Sequence, residues 1–217
     1  MNSEPNDLKS RILAHISDQP PTRVWTAADF LDLGTRDAVD KALQRLVRAN
    51  QLRRIDWGLY DKPRHNSLTR QSSPPDPREV IDAVARRDQI RVLVDGMTAA
   101  NDLGLTNAVP AKIVVHTDAR LKPIRLGNLD IIFKPAAASK LYWAGRPAMR
   151  VVQALHWLRD TTAQGDEAQA LRRKLRNLLA HDPKGDQIRA DLREGLTTLP
   201  AWMQELLRPL LEAKAAA

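Results

Sequence analysis

Between residues 35 and 60 the hydrophobic pattern changes period once, and this change constrains the fold more than any other feature. From Thr35 onward the apolar residues are Val39, Ala42, Leu43, Leu46 and Val47, at offsets 0, 3, 4, 7 and 8. That spacing draws one stripe down a single side of a helix. After Asn50 the stripe gives way to extended segments. Leu52-Arg53-Arg54-Ile55 and Leu59-Tyr60 flank Asp56-Trp57-Gly58, which reads as a tight hairpin with glycine at its turn. A helix with one greasy side, followed at once by a two-stranded hairpin, needs further elements to cover it.

The preceding residues supply them. Leu8, Ile12, Leu13 and Ile16 recur at helical spacing and predict a first helix ending before Pro20-Pro21. Val24-Trp25 is a short apolar element. Thr26 with Asp29 three residues on is an acidic variant of the capping box, opening a second helix from Ala27 to about Leu33 that Gly34 stops. Thr35 then caps the third helix. Three helices and a hairpin, with a short glycine-containing turn between the second and third, is the order of a winged helix-turn-helix.

A stretch rich in Pro, Ser and charge, KPRHNSLTRQSSPPDPR, follows the hairpin without apolar periodicity. The expected organisation is therefore a winged helix-turn-helix over residues 1–63, a linker over 64–77 and a second domain over 78–217. In the second domain, strands are predicted at Ile90 to Val94 and Ala111 to His116, with a hairpin around Gly127-Asn128. Helices are predicted near 77–87, 97–103, 147–159, 167–180, 187–194 and 200–212. The fold class is mainly α with α+β: the N-terminal module plus an α+β domain with a small sheet and a helical tail.

Charge indicates the class of partner. The chain carries 34 Lys and Arg against 26 Asp and Glu, a net charge of +8, which favours polyanions through counterion release. With the stripe of the third helix buried, its other side presents Arg36, Lys41, Gln44, Arg45 and Arg48. Arg pairs with the major-groove edge of guanine and Gln with that of adenine. Thr35, Arg36, Lys41 and Gln44 are assigned to the groove floor or its lip, and Arg45 and Arg48 to phosphate. Arg53 and Arg54 on the hairpin, with Lys62 and Arg64 beyond it, extend the phosphate clamp. Trp57 at the hairpin tip either lies along the DNA or packs on the second domain. Asp37 and Asp40 on the same helix oppose the reading, since carboxylates repel phosphate.

The stretches VWTAADFLDLGTRDAVDKALQRLVRANQLRRI and GLYDKP resemble the N-terminal domain of AbiEi-type antitoxins of type IV toxin–antitoxin systems. The resemblance continues in GMTAANDLGLTNAVPAKIVVHTD, in IRLGNLDIIFK and in LPAWM. It implies a transcriptional autorepressor that binds repeated half-sites in its own promoter. It also implies neutralisation of a nucleotidyltransferase-like toxin without a stable complex. By the same resemblance the helix beginning at Thr35-Arg36 is the reading helix, and Arg53, Arg54 and Tyr60 belong to the wing. Asp56-Trp57 departs from the small or basic residues of relatives at that tip. One alternative is a protein-interaction module that sequesters a partner toxin directly, motivated by the apolar C-terminal helix with Trp202; a further one, less favoured, is an enzyme acting on nucleic acid or nucleotides, motivated only by His116 and Asp118.

Chemistry-bearing motifs are sparse. There is no cysteine, no GxxxxGK[ST] and no GxGxxG after a strand, and the 5 histidines (His15, His65, His116, His156 and His181) show no metal-ligand spacing. No cofactor, metal or enzymatic activity is expected; His116 with Asp118 at a strand end is the best catalytic pair on offer. Lys122, Arg125 and Lys134, on or beside the second hairpin, are candidates for a second basic surface. With no long apolar run and no apolar leader, a cytoplasmic protein is expected.

Overall fold

The computed structural model describes residues 7–64, 72–108, 110–159 and 166–212. Residues 65–71, which include His65 and half of the linker expected over 64–77, lie outside them. The chain is mixed α+β, with eight α-helices and two small sheets among the described residues. Contacts divide it into two compact units: Met1–Ile90 with Pro123–Ile131, and Arg91–Lys122 with Ile132–Ala217.

In the first unit, helix α1 (Leu8–Ser17) is capped by Asp7, which accepts a hydrogen bond from the Lys9 amide. Helix α2 (Arg36–Arg48) buries Val39, Ala42, Leu43 and Leu46, the stripe read from the sequence. Each such fully buried leucine contributes roughly 1.5–3 kcal/mol relative to exposure. Between these helices the expected second α-helix is absent. Ala27–Phe30 forms only a 3-10 turn, closed by hydrogen bonds from Asp29 to Thr26 and from Leu33 to Phe30. The physical reason is tertiary contact. Trp25 is bonded to Tyr60 and stacked on Phe30, which pins the segment at both ends, and its turns close through bonds at three-residue spacing instead. The capping interaction itself holds: Asp29 Oδ2 accepts from the Thr26 amide at 2.7 Å and its hydroxyl at 2.9 Å.

Strands β1 (Arg53–Asp56) and β2 (Leu59–Asp61) form the predicted hairpin. Gly58 at its turn has φ +66, which a residue without Cβ adopts freely. Val24-Trp25 becomes a third edge, with Trp25 and Tyr60 exchanging backbone bonds of 2.7 and 2.9 Å. Trp25 and Phe30 stack beneath it at 5.3 Å, and His15 meets both rings edge-on.

Helix α3 (Pro77–Asp88) begins with proline after the cap Asp76 and ends at Gln89 in the left-handed conformation. It belongs to the first unit, whereas the sequence reading placed it in the second domain. Two arginines tie it there. Arg86 donates to the Val24 carbonyl at 2.9 Å and lies 3.7 Å from Asp29, while Arg87 donates to the Trp57 carbonyl. Periodicity reveals a helix and its buried side, but not which neighbour covers that side.

The second sheet has the order β3-β4-β6-β5. Its strands are β3 (Val92–Val94), β4 (Lys112–Thr117), β5 (Ile124–Leu126) and β6 (Leu129–Pro135). Asp95, after β3, accepts from the Thr98 amide and hydroxyl, capping helix α4 (Gly96–Asp102), and also from the Val114 amide of β4. Helix α5 (Met149–Leu158) packs so closely on α4 that a Cβ at Gly96 would collide with the Gln153 carbonyl and Trp157. Helices α6 (Asp166–His181), α7 (Gly185–Gly195) and α8 (Ala201–Glu212) pack through leucines including Leu175, Leu192 and Leu207, all fully buried. Arg189 and Arg193 of α7 donate to the carbonyls of Leu210 and Leu211, in the last turn of α8 where carbonyls lack helical partners.

Candidate nucleic-acid interface

The exposed side of α2 follows from its buried one. Val39, Ala42, Leu43 and Leu46 face the core, so residues half a turn away face solvent. Lys41, Gln44 and Arg48, at i, i+3 and i+7, form one continuous exposed row, with Arg45 beside it. Thr35 at the N-cap position is also exposed, and its side chain makes no capping bond. Arg36 is exposed but not unattended: its Nε lies 2.9 Å from Asp40 Oδ2, one turn along. The pair is open to water, so it holds the guanidinium only loosely.

The hairpin divides its residues more sharply. Arg54 is exposed and lies over the Trp57 ring at 5.0 Å, and that ring is itself 77% exposed. Lys62, also exposed, reaches Ser17 Oγ at 3.5 Å. Arg53 is engaged within the fold. Its guanidinium makes a two-pronged pair with Asp61, at 2.9 and 2.5 Å, and donates to the Ser73 carbonyl at 2.9 Å. Tyr60 is 7% exposed and part of the core around Trp25 and Leu46. These two expected wing residues are therefore structural, because the strand register sets Arg53 directly opposite Asp61 and turns Tyr60 inward.

Both acidic partners were present in the sequence. Arg36 and Asp40 stand at i and i+4, the spacing of a helical ion pair. Asp61 lies across a two-residue turn from Arg53, a distance readable once the hairpin register is known.

Lys122, Arg125 and Lys134 are each exposed. Arg125 stands opposite Asp130 in the β5–β6 register and its Nε donates to the Gly127 carbonyl. The division of contacts puts Arg125 in the first unit and Lys122 and Lys134 in the second. The pair His116 and Asp118 is separated by function: Arg91 grips both carboxylate oxygens of Asp118, with bonds of 3.0 Å from its amide and its Nε. That hydrogen bonding holds the Asp118 carboxyl below its ordinary pKa. Among the described residues, no group of three or more His, Asp or Glu side chains is placed to hold a metal ion. No helix among them is long and apolar enough to cross a membrane.

A family model described as a family of unknown function, DUF6088, matches residues 11–184. The chain belongs to this family. None of the curated proteins compared with it matches. In this DUF6088 protein the matched region runs from within α1 to the residue preceding α7, so it takes in α2, both sheets and α5.

Proposed function

We propose that the N-terminal module of this DUF6088 protein is a winged helix-turn-helix that binds duplex DNA, with α2 in the major groove. The observation that carries the reading is the row Lys41, Gln44 and Arg48, exposed on a helix whose opposite side is sealed in a core. A row one residue wide on a well-anchored helix is what major-groove readout requires, because base edges are reached by side chains held in a fixed register. Gln44 is the base-reading residue in this proposal and Lys41 and Arg48 flank it on phosphate or guanine. Arg54 and Lys62 contact the backbone beside the groove. The 3-10 turn takes the place of the second helix and still delivers Phe30 to the core beneath α2.

The resemblance to AbiEi-type antitoxins supports a more specific reading. It makes the DNA site a repeated element upstream of the protein's own gene and the output autorepression of a toxin–antitoxin operon.

The test is an electrophoretic mobility shift with that upstream DNA against scrambled competitor, at two salt concentrations. A discrete shift that survives competitor is expected, weakening steeply with salt as phosphate contacts are screened. Gln44→Ala should narrow the gap between specific and scrambled DNA, whereas Arg54→Ala should weaken both alike. A smear that disappears with competitor, unaltered by either substitution, would leave only non-specific attraction and remove α2 as a reading helix.

A further inference from the structure

The second unit contains a cleft of about 510 Å³, within the range of small-molecule sites. Five separate stretches build it. The β3–β4 register sets Leu93 beside His116 on one side of the sheet. Lys140 and Tyr142 come from the 3-10 turn Ala138–Leu141 and the residue after it. Gln153 and His156 stand three residues apart on α5, so both project to the same side of the helix. Thr198, Leu199 and Pro200, ahead of α8, complete the wall.

The chemistry of this lining is one-sided. Lys140 brings a full positive charge and the two histidines bring imidazole nitrogens, yet no carboxylate lines the cleft among the described residues. Three arginines elsewhere in this unit are answered by acids: Arg146 by Asp191 and Glu194, Arg150 by Asp102, Arg91 by Asp118. A lysine in a cleft with imidazoles and no acid matches an anion, and lysine binds phosphate as a point charge. On the other side the rings of Tyr142 and Trp143 meet edge to face, 5.2 Å apart at 84°. Trp143 is 7% exposed and wedged against Gly195, where a Cβ would collide with its ring. Arg146 lies over both Trp143 and Tyr142, at 5.4 and 4.8 Å, which steadies the aromatic pair. Gln153 and Thr198 add an amide and a hydroxyl suited to ring-edge or sugar groups.

We propose that this cleft binds a small phosphorylated compound carrying a planar ring, of the nucleoside monophosphate class. Lys140, with His116 and His156, holds the phosphate. Tyr142, 40% exposed and backed by the buried Trp143, packs against the ring, and Gln153 and Thr198 supply its polar contacts. The site involves none of the α2 or hairpin residues, so it stands or falls separately from DNA binding.

Isothermal titration calorimetry of the full chain tests it, with AMP, GMP, CMP and UMP as probes beside adenosine and inorganic phosphate. Saturable one-to-one binding of at least one mononucleotide is expected, with adenosine and phosphate at least about tenfold weaker. Lys140→Ala and His116→Gln should each weaken the nucleotide about tenfold while leaving the urea midpoint and the DNA mobility shift unchanged. His156→Gln serves as a second probe should His116→Gln disturb the sheet. The proposal is overturned if no mononucleotide binds at millimolar concentration, if phosphate alone binds as tightly, or if the variants bind like the parent.

Discussion

Helix α2 and helix α7 are both short, arginine-bearing and amphipathic, yet they use their cations in opposite ways. On α2, Arg45 and Arg48 point to solvent on the side away from the core, with Lys41 and Gln44 between them and the helix start. On α7, Arg189 is buried and reaches the Leu210 carbonyl, while Arg193 donates to Leu211. Asp191 between them accepts from Arg146 and from the Ala148 amide. Composition does not distinguish the two helices; what lies across from each arginine does. A cation facing a carboxylate or an orphan carbonyl becomes part of the fold, and one facing water remains free for a partner.

The largest effect should come from breaking the committed side of this contrast. Asp191→Ala leaves the Ala148 amide buried without an acceptor and Arg146 with only exposed Glu194, a loss of about 3 kcal/mol. Urea denaturation measures it, and an unchanged midpoint would mean that Asp191 is not the anchor described. Within the first unit, Arg53→Ala should cost about 1–2 kcal/mol by stranding the largely buried Asp61. Its neighbour Arg54→Ala should shift stability by no more than about 0.5 kcal/mol. If the two behave alike in denaturation, the division between structural and free arginines fails on the hairpin.

The double variant Lys41→Ala, Arg48→Ala sharpens the free side. Its stability should stay within about 1 kcal/mol of the parent, while DNA affinity falls about tenfold or more and the salt dependence flattens. Circular dichroism melting and mobility shift, read together, separate folding from binding. The smallest effect concerns His156. Partial desolvation, with Arg159 adding repulsion, lowers its pKa below the ordinary imidazole value. On acidification the unfolded chain takes up this proton first. The stability present above the unfolded pKa of about 6.5 is therefore progressively lost as pH falls through the folded value. His156→Gln should reduce the loss seen between about pH 7.5 and about pH 5.5; an identical decline in both proteins would show that other groups govern it.

Much of the scaffold was legible from the residues. The stripe from Val39 to Val47, the turn at Gly58 and the hairpin at Gly127 each depend on interactions within a dozen residues, and each appears where the pattern put it. The α5 to α8 helices were also readable from apolar spacing. The segment at Ala27 differs from its reading because a capping box signals where a helix begins but not whether distant contacts, here those of Trp25 with Tyr60 and Phe30, let it propagate. On α2 the exposed row followed from the stripe alone. On the hairpin, reading cations as free was less secure, since Arg53 and Tyr60 depend on cross-strand register. The cleft around Lys140 was illegible: its lining is drawn from residues 93 to 200, and none of its local spacings is unusual.

Sequence by itself determined the periods, the caps and the turns, because these arise from backbone geometry and neighbours within a few positions. Tertiary structure decided three other things. It assigned α3 to the first unit through Arg86 and Arg87, it withdrew Arg53 by placing Asp61 opposite, and it gathered Lys140, His116 and His156 around one cleft. Each of these depends on which distant groups become neighbours. That is set by the packing of whole elements, and a local pattern carries no record of it.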